Sequence, residues 1–154
     1  MITIPDTLLV ENVLLDLAAS TPDDAVKRTA ALLRDDERVI DWPVFHSELL
    51  AHPPCRVDDQ VDFGICIPHA RSRAVSEMVM SAARVDGELL FPDCVKPVRY
   101  LFCIGVPKAL ASDYLRIAGA LMRIFKDASA EEELRGASTP REFVSVLSRL
   151  ERKL

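Results

Sequence analysis

The segment from Val98 to Val106 constrains the fold of this chain more than any other. It reads VRYLFCIGV and is apolar throughout except for Arg99. A strand with one face in water alternates apolar and polar residues, whereas a strand covered on both faces is apolar along its whole length. No apolar run in the chain approaches the roughly 20 residues of a membrane span. The segment therefore predicts a β-strand inside a layered domain, with no membrane insertion.

Other segments have strand character. Gly64 to Pro68 is a short apolar run and Met78 to Val85 is a longer one. Asp86-Gly87 after the second run predicts a turn, which indicates an antiparallel pair and hence a mixed sheet. Leu8 to Leu17 fits a strand, or a short helix leading into one.

Helix signals stand on both sides of these strands. Ser, Thr or Asp followed by proline or acidic residues predicts a helix start, because the side-chain oxygen caps free N–H groups. Such starts occur at Thr21, Asp41, Ser112 or Asp113, Ser129 and Thr139. In the second helix, Val44, Phe45 and Leu49 are expected to face inward. The pattern predicts the α/β class, a single-domain sandwich over residues 1–154, with a mixed sheet of about five strands flanked by helices.

Charge and cysteine spacing exclude several functions. The 154 residues include 19 Lys and Arg against 24 Asp and Glu, and the net charge of −5 argues against nucleic acid as a partner. Four cysteines, at Cys55, Cys66, Cys94 and Cys103, match no zinc-binding spacing. We expect a cytoplasmic protein with no metal and no cofactor.

Two of the three histidines give little support for a metal site. His46 and His52 are six residues apart on one predicted helix, which places them about 240° apart around its axis. They therefore face different directions. We interpret His46 as a solvated side chain and His52 as a partner of the helix C-terminal dipole.

His69 is placed differently, because it follows the apolar run and Pro68 directly. In an extended chain His69 and Arg71 project to the same side. An imidazole beside a guanidinium suits a phosphoryl acceptor, since the ring nitrogen attacks and the cation balances the oxygens. Spacing alone favours the simpler interpretation of a strand-end histidine hydrogen-bonded to a neighbour, with Arg71 in solvent.

The segment Gly64-Ile65-Cys66-Ile67-Pro68-His69 resembles the Gly-Ile-Ala-Ile-Pro-His motif of phosphotransferase system enzyme IIA domains, in the fructose, mannitol and nitrogen-regulatory class. The resemblance covers nearly the whole chain, including Lys96 to Phe102 and the Gly105-Val106-Pro107 exit. The length is closest to the stand-alone nitrogen-regulatory type.

The resemblance implies an α/β sandwich and a phosphoryl group accepted on His69 from a histidine phosphocarrier protein. Sugar-system members pass the group to a IIB domain, whereas nitrogen-regulatory members control target proteins by contact. In the family a second histidine begins the helix after the Val-Pro exit, and Tyr114 stands at that position here. Tyrosine keeps a donor hydroxyl but carries no positive charge. The same residue also fits the inward stripe of its helix.

Two further departures concern the same site. The family's Arg-Glu pair appears as His52-Pro53, and its Gly-rich loop is replaced by residues 57–63, which include Asp58, Asp59 and Asp62. Carboxylates near a phosphoryl group would repel it. The alternative hypothesis is therefore an interaction module that keeps the fold and has lost phosphotransfer. A metal or thiol enzyme ranks well below both.

Overall fold

A computed structural model describes residues 1–57, 64–92 and 94–154. The strands are β1 (Leu8–Leu17), β2 (Gly64–Cys66), β3 (His69–Arg71), β4 (Val79–Leu89) and β5 (Val98–Val106). The helices are α1 (Ile4–Thr7), α2 (Pro22–Ala31), α3 (Trp42–Leu49), α4 (Ala111–Phe125), α5 (Ala128–Arg135) and α6 (Pro140–Arg152), and a 3-10 turn at Lys108–Leu110 precedes α4. In this part of the chain no helix combines the length and the apolar composition that crossing a bilayer requires.

The five strands form one mixed sheet, as predicted. The strand order is β1-β4-β5-β2, and β3 also pairs with β5. β1 is parallel to β4, β4 is antiparallel to β5, and β2 and β3 are both parallel to β5. Because β2 and β3 follow one another along the same side of β5, the segment from Gly64 to Arg71 forms one interrupted edge strand.

Helices cover both faces of the sheet, which confirms the interpretation of the apolar segment. Tyr100, Phe102 and Ile104 of β5 belong to a core shared with α4, α5 and α6. Leu101 and Cys103 face the opposite way and belong to a core shared with α2 and α3. All five side chains are fully buried, so alternate residues of β5 fill two separate cores.

The prediction of a turn at Asp86-Gly87 is wrong. β4 continues through both residues to Leu89, and the pairing register with β5 shifts between Arg84 and Leu89. Gly87 has a φ of 86°, a conformation that glycine adopts without steric cost. The Asp-Gly pair therefore marks an irregularity within the strand, and the antiparallel connection to β5 runs through residues 90–97 instead.

Helix starts were predicted with mixed success. Thr21, Asp41 and Thr139 accept N–H groups as N-caps, as expected. The cap predicted at Ser112 or Asp113 is wrong, because α4 grows directly out of the 3-10 turn with Leu110 as its N-cap. α5 begins one residue before Ser129, with Asp127 as its cap. Val44 is 47% exposed rather than inward, whereas Phe45 and Leu49 are buried.

Candidate functional site

His69 is the first residue of β3, and its side chain is exposed. The backbone around it is fixed on both sides. The Ile104 N–H donates to the Pro68 carbonyl at 2.9 Å, and the Ser72 N–H donates to the Val106 carbonyl at 2.8 Å. A rigid strand therefore presents the imidazole to solvent.

A hydrogen bond sets the tautomer of His69. Its Nδ1 lies 2.8 Å from the carbonyl oxygen of Ile67. A carbonyl can only accept, so Nδ1 carries the proton and donates it, and the lone pair of the neutral ring lies on Nε2. The contact with a neighbour that the simpler interpretation expected is present. It leaves Nε2 as the ring nitrogen with the free lone pair.

Tyr114 lies against His69. The two rings stack with centroids 4.7 Å apart and planes inclined by 24°. Tyr114 is half-buried in the first turns of α4, and this burial raises its pKa to about 12. The phenol therefore stays neutral at physiological pH and keeps its proton for donation. The structure thus brings together two residues that lie far apart in the sequence.

Arg71 projects from the same side of β3 as His69, as predicted for an extended chain. Both side chains are exposed, and Ala70 between them is buried. Arg71 Nη2 donates to the backbone carbonyl of Lys108 at 3.3 Å. This bond anchors the guanidinium at the start of the turn that leads into α4.

The N-terminus of α4 adds positive potential to this region. Its N-cap, Leu110, offers no side-chain oxygen to the N–H groups of the first turn. The positive end of a helix dipole favours a bound anion. Asp113 lies in that turn and contacts Arg116 at 3.3 Å, so its charge is partly balanced.

A cavity of about 610 Å³ opens beside His69. Its volume lies in the range of small-molecule and docking pockets. The wall is mainly apolar and comes from α2, the end of α3, the chain before β2 and the inner face of α4. Its lining includes Val26, Lys27, Leu49, Leu50, His52, Pro53, Cys55, Cys66, Tyr114, Ala118 and Met122.

The other two histidines have different surroundings from that of His69. His46 is half-buried with its ring centroid 5.0 Å from that of Trp42, so it is not the fully solvated side chain expected. His52 is exposed beyond the end of α3 and lines the cavity. Among the described residues, no cluster of three His, Cys, Asp or Glu side chains could hold a metal ion.

The predicted electrostatic repulsion lies outside the described residues, because Asp58, Asp59 and Asp62 all fall there. Sequence reasoning did not find Lys27 or Met122 of the cavity wall. They come from helices far apart in the chain, and neither belongs to a motif. The substituted pair His52-Pro53 was noticed in the sequence, and it does reach this wall.

Comparisons with known proteins agree on one relationship. The family described as "Phosphoenolpyruvate-dependent sugar phosphotransferase system, EIIA 2" matches residues 7–150. The PTS system fructose-specific EIIA component of Haloferax volcanii is 32% identical over 141 residues, covering 90% of each chain.

Solved structures share the fold at lower identity. The crystal structure of nitrogen regulatory protein IIA-Ntr from Neisseria meningitidis superimposes with a TM-score of 0.78 at 22% identity, covering 94% of this chain and 98% of that one. The complex of mannitol enzyme IIA with phosphorylated enzyme IIB from Escherichia coli gives a TM-score of 0.70 at 15% identity, covering 90% and 95%.

Proposed function

This chain belongs to the EIIA 2 family of the phosphoenolpyruvate-dependent sugar phosphotransferase system, and we propose that it carries a phosphoryl group on Nε2 of His69. The observation that carries this proposal is the hydrogen bond between His69 Nδ1 and the Ile67 carbonyl, which leaves Nε2 as the nucleophile. We place the reaction in the cytoplasm.

The transfer follows from this geometry. Nε2 of His69 attacks phosphorus as the N–P bond of the donor's phosphohistidine breaks, and the donor imidazole leaves with the bonding electrons. Positive charge then develops on the His69 ring, and the Nδ1–H···O=C bond to Ile67 stabilises it. Arg71 balances the phosphoryl oxygens, and Tyr114 supplies its ring face and a neutral hydroxyl donor.

The partners that fit are proteins. A histidine phosphocarrier protein is the proposed donor, with the apolar cavity wall beside His69 as the surface it contacts. The proposed acceptor is a IIB domain or a regulated target protein. The mannitol neighbour, a IIA solved with a phosphorylated IIB, and the fructose-specific relative both favour the IIB domain.

A labelling experiment tests the proposal. The protein is incubated with enzyme I, the phosphocarrier and labelled phosphoenolpyruvate, and we expect one acid-labile phosphoryl group per chain. His69→Ala should abolish the label, and His46→Ala, whose ring packs on Trp42, should retain it. Transfer of the label to added IIB identifies that acceptor. An unlabelled wild-type protein in the presence of the phosphorylated cognate carrier refutes the proposal.

One observation favours a second candidate, an interaction module without phosphotransfer. Tyr114 occupies the position of the family's second histidine, and a phenol cannot supply that residue's positive charge. The module predicts partner binding that is indifferent both to His69→Ala and to phosphoenolpyruvate. The carrier predicts binding that changes with phosphorylation, so one pull-down with and without phosphoenolpyruvate separates them.

A further inference from the structure

Two cysteines line the cavity beside His69. Cys55 is exposed, and Cys66 in β2 is buried. The Val57 N–H donates to the Ile65 carbonyl at 2.9 Å, which holds the segment containing Cys55 alongside β2. The exposed thiol and the buried thiol therefore belong to adjacent segments of one cavity wall.

The environment of the buried thiol shows that Cys66 lies next to Cys55. Burial raises the pKa of Cys66 to about 12, and this outweighs a hydrogen bond from the Cys55 backbone that lowers it. The Cys66 sulfur thus contacts the main chain of Cys55. Cys55 is exposed and Cys66 is buried, so a dissolved oxidant reaches the Cys55 sulfur first.

We propose that Cys55 and Cys66 form a reversible disulfide when the protein meets a peroxide oxidant, and that this bond slows phosphoryl transfer at His69. The existence of the bond is independent of the proposed function, whereas its effect on transfer rests on that function. The bond closes a ring over residues 55–66.

The chemistry balances with hydrogen peroxide as the oxidant. The Cys55 thiolate attacks one peroxide oxygen, the O–O bond breaks, and the departing hydroxide takes up a proton to form water. The Cys66 sulfur then attacks the resulting Cys55 sulfenic acid, the S–S bond forms and the S–O bond breaks. The Cys66 proton leaves with this second hydroxide as water. Two thiols lose two electrons in total, and one peroxide becomes two waters.

The effect on His69 passes through one residue. Ile67 follows Cys66 directly, and its carbonyl holds the proton on His69 Nδ1. A disulfide has strict geometry, so pulling Cys66 toward Cys55 displaces the Ile67 carbonyl. A shift of about 1 Å at a reacting group can cost up to about a hundredfold in rate. We expect phosphorylation of the oxidised protein to be slower by about tenfold or more.

The experiment compares the wild type with Cys55→Ser, Cys66→Ala and the control Cys94→Ser. Cys94 is half-buried and is not among the residues that line the cavity. Each protein is treated with hydrogen peroxide, with and without later reduction by dithiothreitol. Peptide mapping locates the bond, NMR spectra report the His69 ring, and the ratio of oxidised to reduced phosphorylation rates reports the effect.

The supporting result is a Cys55–Cys66 linkage, with a shifted His69 signal and a slowed rate, in the wild type and Cys94→Ser only. Reduction should reverse all three. A Cys66–Cys103 linkage, a link between two chains, or a rate ratio near one in the linked protein overturns the proposal. If the reduced protein takes no label while the linkage and the His69 shift are present, the proposed function fails and the disulfide stands.

Discussion

The contact between His69 and Tyr114 can be measured by a double-mutant cycle. The cycle comprises the wild type, His69→Ala, Tyr114→Ala and the double variant. A separation of 4.7 Å and an inclination of 24° place the rings in the range where aromatic pairs add about 0.5–1.5 kcal/mol beyond their buried area. We expect a coupling free energy of about 1 kcal/mol between the two substitutions.

The assay is urea unfolding of the four proteins, with the coupling taken as the departure from additivity. Tyr114→Ala alone should cost more than the coupling, because the variant also loses the half-buried ring's packing on α4. Tyr114→Phe is the matched control. It removes the hydroxyl and keeps the ring, so a second cycle that pairs Tyr114→Phe with His69→Ala should give a coupling near zero.

A coupling below about 0.3 kcal/mol in the alanine cycle would refute the reasoning, since sites that do not touch add to within that error. The rings would then not stack in solution, and Tyr114 would not lie where a phosphoryl group on His69 meets it. An equally large coupling in the Tyr114→Phe cycle would assign the interaction to the hydroxyl rather than to the ring.

Three further predictions rest on named contacts. Arg71→Gln should slow phosphorylation by about 10- to 100-fold, since a charge-assisted hydrogen bond contributes roughly 1.5–3 kcal/mol, while the exposed neighbour variant Arg73→Gln should not. Hydrogen bonds from Arg38 hold the pKa of Asp36 at about 2, so the Asp36 carboxylate stabilises the fold by about 2 kcal/mol above pH 4. This stability is lost as the pH falls from 4 to 2. The difference in free energy of unfolding between the wild type and Asp36→Asn should therefore shrink across that pH range. Gly105→Ala should destabilise the protein by about 1–3 kcal/mol, because the added Cβ would lie 2.8 Å from Phe45 and Val79. Gly119→Ala in α4 has open space around the added Cβ and should stabilise the protein by about 0.5–1 kcal/mol. Thermal unfolding of both variants checks these values.

The parts of the fold that local chemistry dictates were predictable. The apolar segment of β5 could be interpreted as a strand covered on both faces, because a strand with one face in water would alternate apolar and polar residues. Thr21 and Thr139 cap their helices because each hydroxyl accepts an N–H of the first turn, which has no partner within the helix. These signals lie within a few residues of the structure that they specify.

Other features depended on contacts that the sequence does not display. Asp86-Gly87 has the residue types of a turn, yet β4 continues through both residues and pairs with β5 beyond them. Gly87 has a positive φ where the pairing register shifts. Asp113 has the composition of a cap, yet the 3-10 turn starts α4 before reaching it. In the first case tertiary pairing overrides a local preference, and in the second case an adjoining turn does so.

The candidate site divides in the same way. The sequence placed His69 and Arg71 on one side of an extended segment, because alternation along a strand is a local property. The stacking of Tyr114 on His69 could not be predicted from the sequence, because it depends on how α4 packs. The proton on His69 Nδ1 could not be predicted either, because it depends on the orientation of the Ile67 carbonyl. The cavity wall was the least predictable part of the site, because it combines residues from α2, α3 and α4, which lie far apart in the sequence.

The two functional hypotheses differ in charge balance rather than in the nucleophile. An interaction module needs neither an exposed imidazole nor a carbonyl that holds the proton of the neutral ring on Nδ1, and this chain has both. What the chain lacks is the family's second imidazole, and burial keeps the Tyr114 phenol neutral in its place. A phosphoryl dianion on His69 would therefore rely on Arg71 and on the N–H groups at the start of α4. Under the proposed function, the positive charge facing the phosphoryl group would therefore not depend on protonating a second histidine.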